Sequence, residues 1–157
     1  MASSSARVIN MSTESHRGAK INFDDPFFED DYNPITAYMQ AKLANILISY
    51  ELARKLAGTS IAVNCLDPGT VDTIGLANIR AVARKIYGKS SSTPPVPIEE
   101  GAQTSLYLAT ASEVEGVSEK YFVDMKEVES SPESYDRESA EKLWKISEEI
   151  SGVKLEI

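Results

Sequence analysis

Three short apolar runs, separated by amphipathic stretches, constrain the fold of this chain more than any other feature. Residues 60–66 are nearly continuous in apolar character, as strands buried on both faces of a parallel sheet are, and residues 7–11 and 120–124 are also strand-like. Between the first two runs, apolar side chains recur at helical spacing over residues 37–56, and Gly58 follows. Strand, helix and strand in this order predict a βαβ unit with a right-handed crossover.

The rest of the chain continues this alternation. Residues 98–109 and 136–149 predict two further helices, and residues 74–89 predict one or two helical turns followed by a loop. Residues 90–97 contain three prolines, so we expect an irregular, mobile cover segment there. The order βαβαβα predicts an α/β domain with a parallel sheet of about three strands and flanking helices, which is narrow for a sheet of this kind.

Composition excludes several classes of function. A chain of 157 residues can form one domain with a real core, and its net charge of −8 argues against a nucleic-acid-binding surface, which needs clustered Lys and Arg. The single Cys65 can form neither an internal disulfide nor a zinc cluster, so we expect a buried thiol, a reducing intracellular compartment (cytoplasmic by default) and no bound metal. No apolar run reaches about eighteen residues and no basic-then-apolar leader opens the sequence, so we expect neither a membrane segment nor a secretion signal.

The best candidate for chemistry is the pair Tyr38 and Lys42. The two residues lie four positions apart within the predicted helix, which brings both side chains to one face. A free tyrosine titrates near pH ~10, and a neighbouring cation such as Lys42 favours its phenolate. The pair is therefore a candidate general acid/base unit. The bare pattern Tyr-x-x-x-Lys is short and occurs by chance in many helices, so its surroundings must decide.

Polar turns follow the first two predicted strands. Residues 12–15 come after the first strand, and residues 67–69, Asp-Pro-Gly, come after the second. Functional groups often lie at such carboxyl ends of parallel strands. His16, close to Ser12 and Ser15, raises the alternative of a Ser-His-Asp hydrolase, but the chain contains no Gly-x-Ser-x-Gly elbow, which disfavours it.

Several separate segments carry a resemblance to a known family. They are residues 7–16, residues 37–47 around Tyr38, residues 61–69, residues 120–122 and the pair Leu143 and Trp144. Together these segments resemble the short-chain dehydrogenase/reductase family, and within it the retinol dehydrogenase-like branch. The similarity covers almost the whole chain. It implies the C-terminal part of a Rossmann-like doubly wound parallel sheet.

The resemblance also implies roles for individual residues. Tyr38 would be the acid/base that exchanges a proton with the substrate oxygen, and Lys42 would lower the pKa of Tyr38 and hydrogen-bond the nicotinamide ribose. Thr13 would contact and polarise the substrate, in place of the serine common in the family. A register shift of one residue would give this role to Ser12.

A second set of residues would bind the cofactor. It comprises the turn Pro68, Gly69, Thr70 and Val71, whose backbone would line the nicotinamide, and Thr73, whose hydroxyl would contact the carboxamide or phosphate. Asp67 departs from the His that commonly precedes Pro-Gly in this branch.

Other parts of the family pattern are absent from the chain. It has no glycine-rich turn for the pyrophosphate, no Asn-Asn-Ala-Gly segment and no residue that selects NAD or NADP. The resemblance therefore implies that residues 1–157 are a single partial domain without the N-terminal dinucleotide-binding half. The strand that begins at Arg7, central in a full sheet, would then be an edge.

Two classes of function follow from the resemblance. The first is an NAD(P)-dependent oxidoreductase that moves hydride between NADP or NAD and a small lipophilic alcohol, aldehyde or ketone, with specificity set by residues 74–97. The second is a truncated, catalytically silent chain that acts as an interaction module, through its sheet edge or as a homodimer through the helix at 37–56. A fragment without a function of its own is a third alternative.

Overall fold

The computed structural model describes residues 5–155 of the chain. These residues form four strands, five α-helices and three short 3₁₀ turns. The strands are β1 (Ala6–Met11), β2 (Ile61–Asp67), β3 (Lys120–Val123) and β4 (Lys126–Val128). The helices are α1 (Pro34–Lys55), α2 (Ile74–Tyr87), α3 (Ile98–Gly101), α4 (Gln103–Thr110) and α5 (Arg137–Ser151). The 3₁₀ turns are Glu14–His16, Ser112–Val114 and Pro132–Tyr135.

The four strands form one sheet in the order β1-β2-β3-β4. β1, β2 and β3 are parallel, which confirms the three predicted strands, and within the described residues β1 lies at the edge, as expected. The sequence did not predict β4, which pairs antiparallel with β3. Asp124 and Met125 connect the two strands with positive φ angles of 48° and 61°, a hairpin turn that usually carries Asn or Gly. Without those residues, and with only three positions in β4, no local pattern indicated the hairpin.

Helix α1 begins three residues earlier than predicted. Asn33 caps it, because its side-chain oxygen accepts hydrogen bonds from the backbone N–H groups of Ile35 and Thr36. Pro34 occupies the first helical position, where its fixed φ is favourable and its missing N–H has no intrahelical partner to lose. The helix thus holds Tyr38 in its second turn and Lys42 at the start of its third.

Helices cover both faces of the sheet, as in the doubly wound architecture predicted from the sequence. On one face, α1 packs on β2 and β3 through the cluster Ile46, Tyr50, Cys65 and Tyr121. On the other face, α4 packs through the cluster Leu66, Leu108, Val114 and Phe122. α5 lies outside α1, where Ala140 joins Leu43 and Leu47 in a third cluster. The predicted burial of Cys65 is confirmed, and burial raises the pKa of its thiol to about 12.

Two predicted helices differ from those observed. For residues 74–89 the sequence predicted one or two helical turns and a loop, but residues 74–87 form one helix of fourteen residues, α2. Thr73 caps its start, and Gly88 ends it with a φ of 70°. Residues 98–109 form two helices, α3 and α4, which are separated at Ala102.

The described residues 5–155 contain no helix long and apolar enough to cross a membrane. In the same part of the chain, no three His, Cys, Asp or Glu side chains form a group that could hold a metal ion.

Candidate active site

β1 and β2 end side by side at the carboxyl-terminal end of the sheet, and both polar turns start there. Residues 12–16 leave β1, and residues 68–73 leave β2 toward α2. Because the strands are parallel and in register from Ala6 with Ile61 to Met11 with Leu66, the two turns are neighbours. The N-terminal half of α1 lies at the same end of the sheet. This arrangement fits the general location of ligand sites in open α/β sheets.

Tyr38 and Lys42 lie on one face of α1, as predicted. The Lys42 Nζ atom is 5.5 Å from the centroid of the Tyr38 ring, within the range of a cation–π contact. Both side chains are half-buried. Neither the Tyr38 hydroxyl nor the Lys42 ammonium makes a hydrogen bond to any residue from 5 to 155. Both polar atoms therefore remain available to a ligand.

Three hydrogen bonds fix α1 against the end of β1. The Ser12 hydroxyl donates to the Lys42 carbonyl at 2.8 Å, the Asn45 side chain donates to the Met11 carbonyl at 3.0 Å, and the Asn10 side chain donates to Ser49 Oγ at 2.6 Å. The backbone of Lys42 is thus bonded to Ser12, the residue that precedes Thr13. Together, these three hydrogen bonds limit how far the helix can slide.

Ser12 and Thr13 occupy different environments. Ser12 is fully buried, and its hydroxyl proton is used in the bond to Lys42. Thr13 is half-buried, and its Oγ1 accepts a hydrogen bond from the Ser15 N–H at 3.0 Å, which caps the 3₁₀ turn. A hydroxyl has a proton and a second lone pair besides. Thr13 therefore keeps a donor for a substrate oxygen, which favours it over Ser12 for the predicted role.

His16 is a buried residue rather than an ordinary loop side chain. Its Nε2 accepts from the Ser131 N–H at 2.9 Å, so the ring is neutral, and its Nδ1 donates to the Thr13 carbonyl at 2.6 Å. Burial is the main cause that lowers the pKa of His16. Neither ring nitrogen contacts a serine hydroxyl within the described chain, which leaves the hydrolase alternative without a catalytic base.

The turn after β2 has a glycine where its backbone requires one. Gly69 is exposed with a φ of 78°, in the left-handed region that favours glycine. Thr70 and Val71 are half-buried and pair with Val96: the Val96 N–H donates to the Thr70 carbonyl at 2.8 Å, and the Asp72 N–H donates to the Val96 carbonyl at 2.9 Å. Segment 90–97 has no helix or strand, as expected, but Val96 fastens it to this turn.

Thr73 caps α2 with its side chain. Its Oγ1 accepts from the Leu76 N–H at 3.1 Å, and the residue is exposed. Pro68, which lies between β2 and Gly69 in the sequence, is half-buried. The predicted site residues thus lie at the same end of the sheet. Within residues 5–155, however, no hydrogen bond joins the side chains of Tyr38, Lys42 and Thr13 to one another or to residues 68–73.

Asp67 connects the two turns at this end of the sheet, which the sequence did not predict. It is the last residue of β2 and is 5% exposed. Its Oδ1 accepts from the Gly69 N–H and its Oδ2 from the Glu14 N–H, both at 2.7 Å. The bond to Gly69 is a local turn interaction common for Asp, so the sequence Asp-Pro-Gly could have indicated it. The bond to Glu14 joins the end of β2 to the turn after β1, which is distant in sequence, so no local pattern indicates it.

Known proteins resemble this chain along most of its length. It is 43% identical over 154 residues to retinol dehydrogenase 14 of Mus musculus, a match that covers 97% of this chain and 46% of that protein. It is 38% identical to the polyprenol dehydrogenase of Danio rerio, over 95% of this chain and 47% of that protein. It is 36% identical to retinol dehydrogenase 12 of Homo sapiens, over 98% of this chain and 48% of that protein. No family model matches the chain.

A solved structure shares the fold. It is an uncharacterized protein from Mycobacterium paratuberculosis, with a TM-score of 0.72 and 24% identity, and the match covers 98% of this chain and 53% of that one. The chain spans about half the length of the curated relatives it matches, 46–48% of each. The motifs predicted that this half corresponds to the C-terminal part of the family pattern, and the comparisons agree. The chain belongs to the short-chain dehydrogenase/reductase family of oxidoreductases, in its retinol dehydrogenase-like branch.

Proposed function

We propose that this chain carries the proton-transfer residues of an NAD(P)-dependent oxidoreductase that acts on lipophilic alcohols, aldehydes or ketones. The observation that carries the proposal is the pair Tyr38 and Lys42, whose polar atoms make no hydrogen bond to residues 5–155 and lie beside the turn that holds the Thr13 hydroxyl. The class of substrate follows from the relatives, which are named for retinol and polyprenol. Both compounds are lipophilic alcohols.

The residues present fit the nicotinamide end of such a cofactor. Within the described residues, the Lys42 ammonium makes no hydrogen bond. Gly69 is exposed, and apart from its two chain neighbours no heavy atom of residues 5–155 lies within 4 Å of the position that a Cβ would take. A ligand can therefore approach this backbone closely. Lys42 would hold the ribose, residues 68–71 would line the ring, and the Thr73 hydroxyl would contact the carboxamide or phosphate. When bound, the nicotinamide supplies or accepts the hydride at the substrate carbon.

The side chains of this chain would handle the proton and the substrate oxygen. In reduction, Tyr38 gives its hydroxyl proton to the oxygen that becomes the alcohol, and in oxidation its phenolate takes that proton back. The Thr13 hydroxyl donates a hydrogen bond to the same oxygen and orients it. General acid/base catalysis of this kind contributes roughly 10²–10⁴-fold to a rate.

We also infer that residues 1–157 form a single partial domain that lacks the dinucleotide-binding half. Support comes from the one sheet to which all described strands belong, and from the glycines, which are nowhere clustered as a pyrophosphate-binding turn requires. A single cooperative transition in urea would support one domain, and two separate transitions would contradict it.

Substitution of Tyr38 tests the proposed chemistry. Tyr38→Phe removes the proton donor and leaves the ring, so we expect at least about a hundred-fold loss of NADPH-dependent carbonyl reduction, with cofactor binding nearly unchanged. Tyr32→Phe is the matched control, because Tyr32 is 67% exposed and lies outside α1, and it should keep full activity. Absence of NADPH binding in a fluorescence titration of the wild-type chain would contradict activity of residues 1–157 on their own, and an unchanged rate in Tyr38→Phe would contradict the proposed role of Tyr38.

One observation favours a second candidate function, an interaction module. Within residues 5–155, β1 pairs with β2 alone, so its other edge presents unpaired backbone groups. The apolar stripe of α1 is already covered by the sheet and α5, which makes β1 a better contact surface than the helix for a homodimer. Size-exclusion chromatography at several concentrations tests this function, and a monomer at all of them would count against it.

A further inference from the structure

Asp67 is a buried carboxylate with no ion-pair partner in the described part of the chain. Its charge is balanced by two backbone N–H groups, those of Gly69 and Glu14, each at 2.7 Å. Hydrogen bonds to an ionised acceptor are shorter and stronger than neutral ones. The two donors belong to different turns, one after β1 and one after β2. A single side chain therefore joins the turn that holds Thr13 to the turn proposed to line the nicotinamide.

Thr13 is held on both sides by the end of β2. On one side, the Ser12 N–H donates to the Leu66 carbonyl at 2.7 Å. On the other side, the Glu14 N–H donates to Asp67 Oδ2 at 2.7 Å. Leu66 and Asp67 are consecutive, so the last two residues of β2 fix the backbone immediately before and after Thr13. Of the two bonds, only the second depends on the identity of a side chain.

We propose that Asp67 is a positioning residue, whose carboxylate sets the distance between the Thr13 hydroxyl and the backbone of residues 69–71. This inference rests on the proposed function, because the distance matters for the chemistry only if a substrate oxygen lies at Thr13 and a nicotinamide lies at residues 69–71. Asp67 touches neither group itself. It acts through the two turns that it joins.

The ionised form of Asp67 is the one that joins the turns. A protonated carboxyl would direct an O–H donor at one of the two N–H groups and lose that bond. The ionisable groups that face Asp67 are Glu14 and His16 from the turn after β1 and Tyr121 from β3. Burial raises the pKa of Asp67 above its ordinary value, and the bonds from Gly69 and Glu14 oppose this increase.

An NMR titration of the wild-type chain tests the link without any variant. The amide resonances of Gly69 and Glu14 should shift together as the pH falls, with one common midpoint above the ordinary Asp value of about 3.9. Asp67→Asn, which keeps the shape but supplies one acceptor oxygen only, should abolish the common titration. Asp72→Asn is the matched control, because Asp72 is an exposed carboxylate close in sequence, and it should leave the titration unchanged. Two different midpoints in the wild type would overturn the link.

Kinetics test the consequence for the reaction. We expect Asp67→Asn to lower kcat about tenfold and Asp67→Ala about a hundred-fold, since a misplacement of about 1 Å can cost that much, while NADPH binding stays within about twofold of the wild type. Asp72→Asn should retain the wild-type kcat. A merely structural role would lower the folded fraction instead, so the amide spectrum of each variant is recorded at the assay temperature.

The two measurements separate this inference from the proposed function. Joint titration of both amides together with an unchanged kcat in Asp67→Asn would overturn the positioning role and leave the proposed function standing. No turnover by the wild-type chain, with both amides titrating together, would contradict the proposed function and the catalytic consequence, while the link between the turns would stand.

Discussion

The turn after β1 and helix α2 lie at the same end of the sheet and are held in opposite ways. The turn is fixed by buried partners: Ser12 and His16 are fully buried, and hydrogen bonds connect both residues to distant parts of the chain. No side chain of α2 is buried, and Ile74, its first residue, is 83% exposed. Segments with few buried contacts open most easily.

This difference separates two tasks within one site. Proton transfer requires fixed distances, and its candidate residues lie on α1 and on the tightly bonded turn after β1. Under the proposed function, recognition of a lipophilic substrate would require a surface that can adapt, and α2 carries the exposed apolar side chains Ile74, Ile86 and Tyr87 on a loosely packed element. The comparison predicts that the same kind of substitution has unequal effects in the two regions.

The largest effect is expected for truncation of a buried side chain beneath the site. Leu66 is fully buried between the sheet and α4, so Leu66→Ala should lower the free energy of unfolding by about 2–5 kcal/mol. The matched variant in α2 is Ile86→Ala, where the side chain is 41% exposed, and it should cost less than about 1 kcal/mol. Urea unfolding followed by circular dichroism measures both. Equal losses would show that α2 is packed as firmly as the core.

A smaller effect is expected where the Pro-Gly turn meets α3. A Cβ at Gly101 would overlap the side chain of Val71, so Gly101→Ala should destabilise the chain by about 1–3 kcal/mol. Val71→Ala removes the atoms that are overlapped. The double variant should therefore be more stable than the sum of the single effects predicts, and a double-mutant cycle in urea measures that coupling. Strict additivity would mean that the two residues do not limit each other.

Protonation of His16 should destabilise the turn after β1, residues 12–16, and leave α2 unaffected. The pKa of His16 is lowered in the folded chain, so the unfolded chain, with a histidine near 6.5, binds the proton more readily. The contribution of His16 is therefore fully present above pH ~6.5 and is lost as the pH falls from there toward the folded pKa.

The measurement is the urea midpoint between pH 7.5 and 5.5, above the range in which ordinary carboxylates titrate. His16 is the only histidine, so NMR of its imidazole identifies the group. His16→Gln should start from a lower midpoint and lose this pH dependence. Amides near Ser131 should respond in the wild type, and those of α2 should not. A midpoint that is independent of pH in the wild type would contradict the expectation.

The predictable parts of the fold are those with strong local patterns. β1, β2 and β3 were readable from their apolar runs, and α1 from its periodicity. β4 was not, because its three exposed residues follow a turn without glycine. The length of α2 was underestimated, and Gly75 in its first turn is a residue of low helix propensity.

The site divides in the same way. Residues four positions apart lie on one face of any α-helix, so the sequence was enough to predict that Tyr38 and Lys42 share a face. The burial of His16 depends on Ser131, and the second bond of Asp67 depends on Glu14. Both pairs are distant in sequence and join only when the strands are assembled, so no local pattern contains them.

The smallest predicted effect is a gain in stability in the loosely packed region. Gly75 is helical, and a Cβ there would meet only Thr73 Oγ1, at an ordinary contact distance of 3.6 Å. Gly75→Ala should therefore stabilise α2 by about 0.5–1 kcal/mol, mainly because alanine has fewer conformations to lose on folding. Hydrogen exchange should slow for amides of residues 76–87 and stay unchanged in β2. Slower exchange in both regions would mean that α2 and β2 open together. The proposed difference in packing between α2 and the rest of the site would then be wrong.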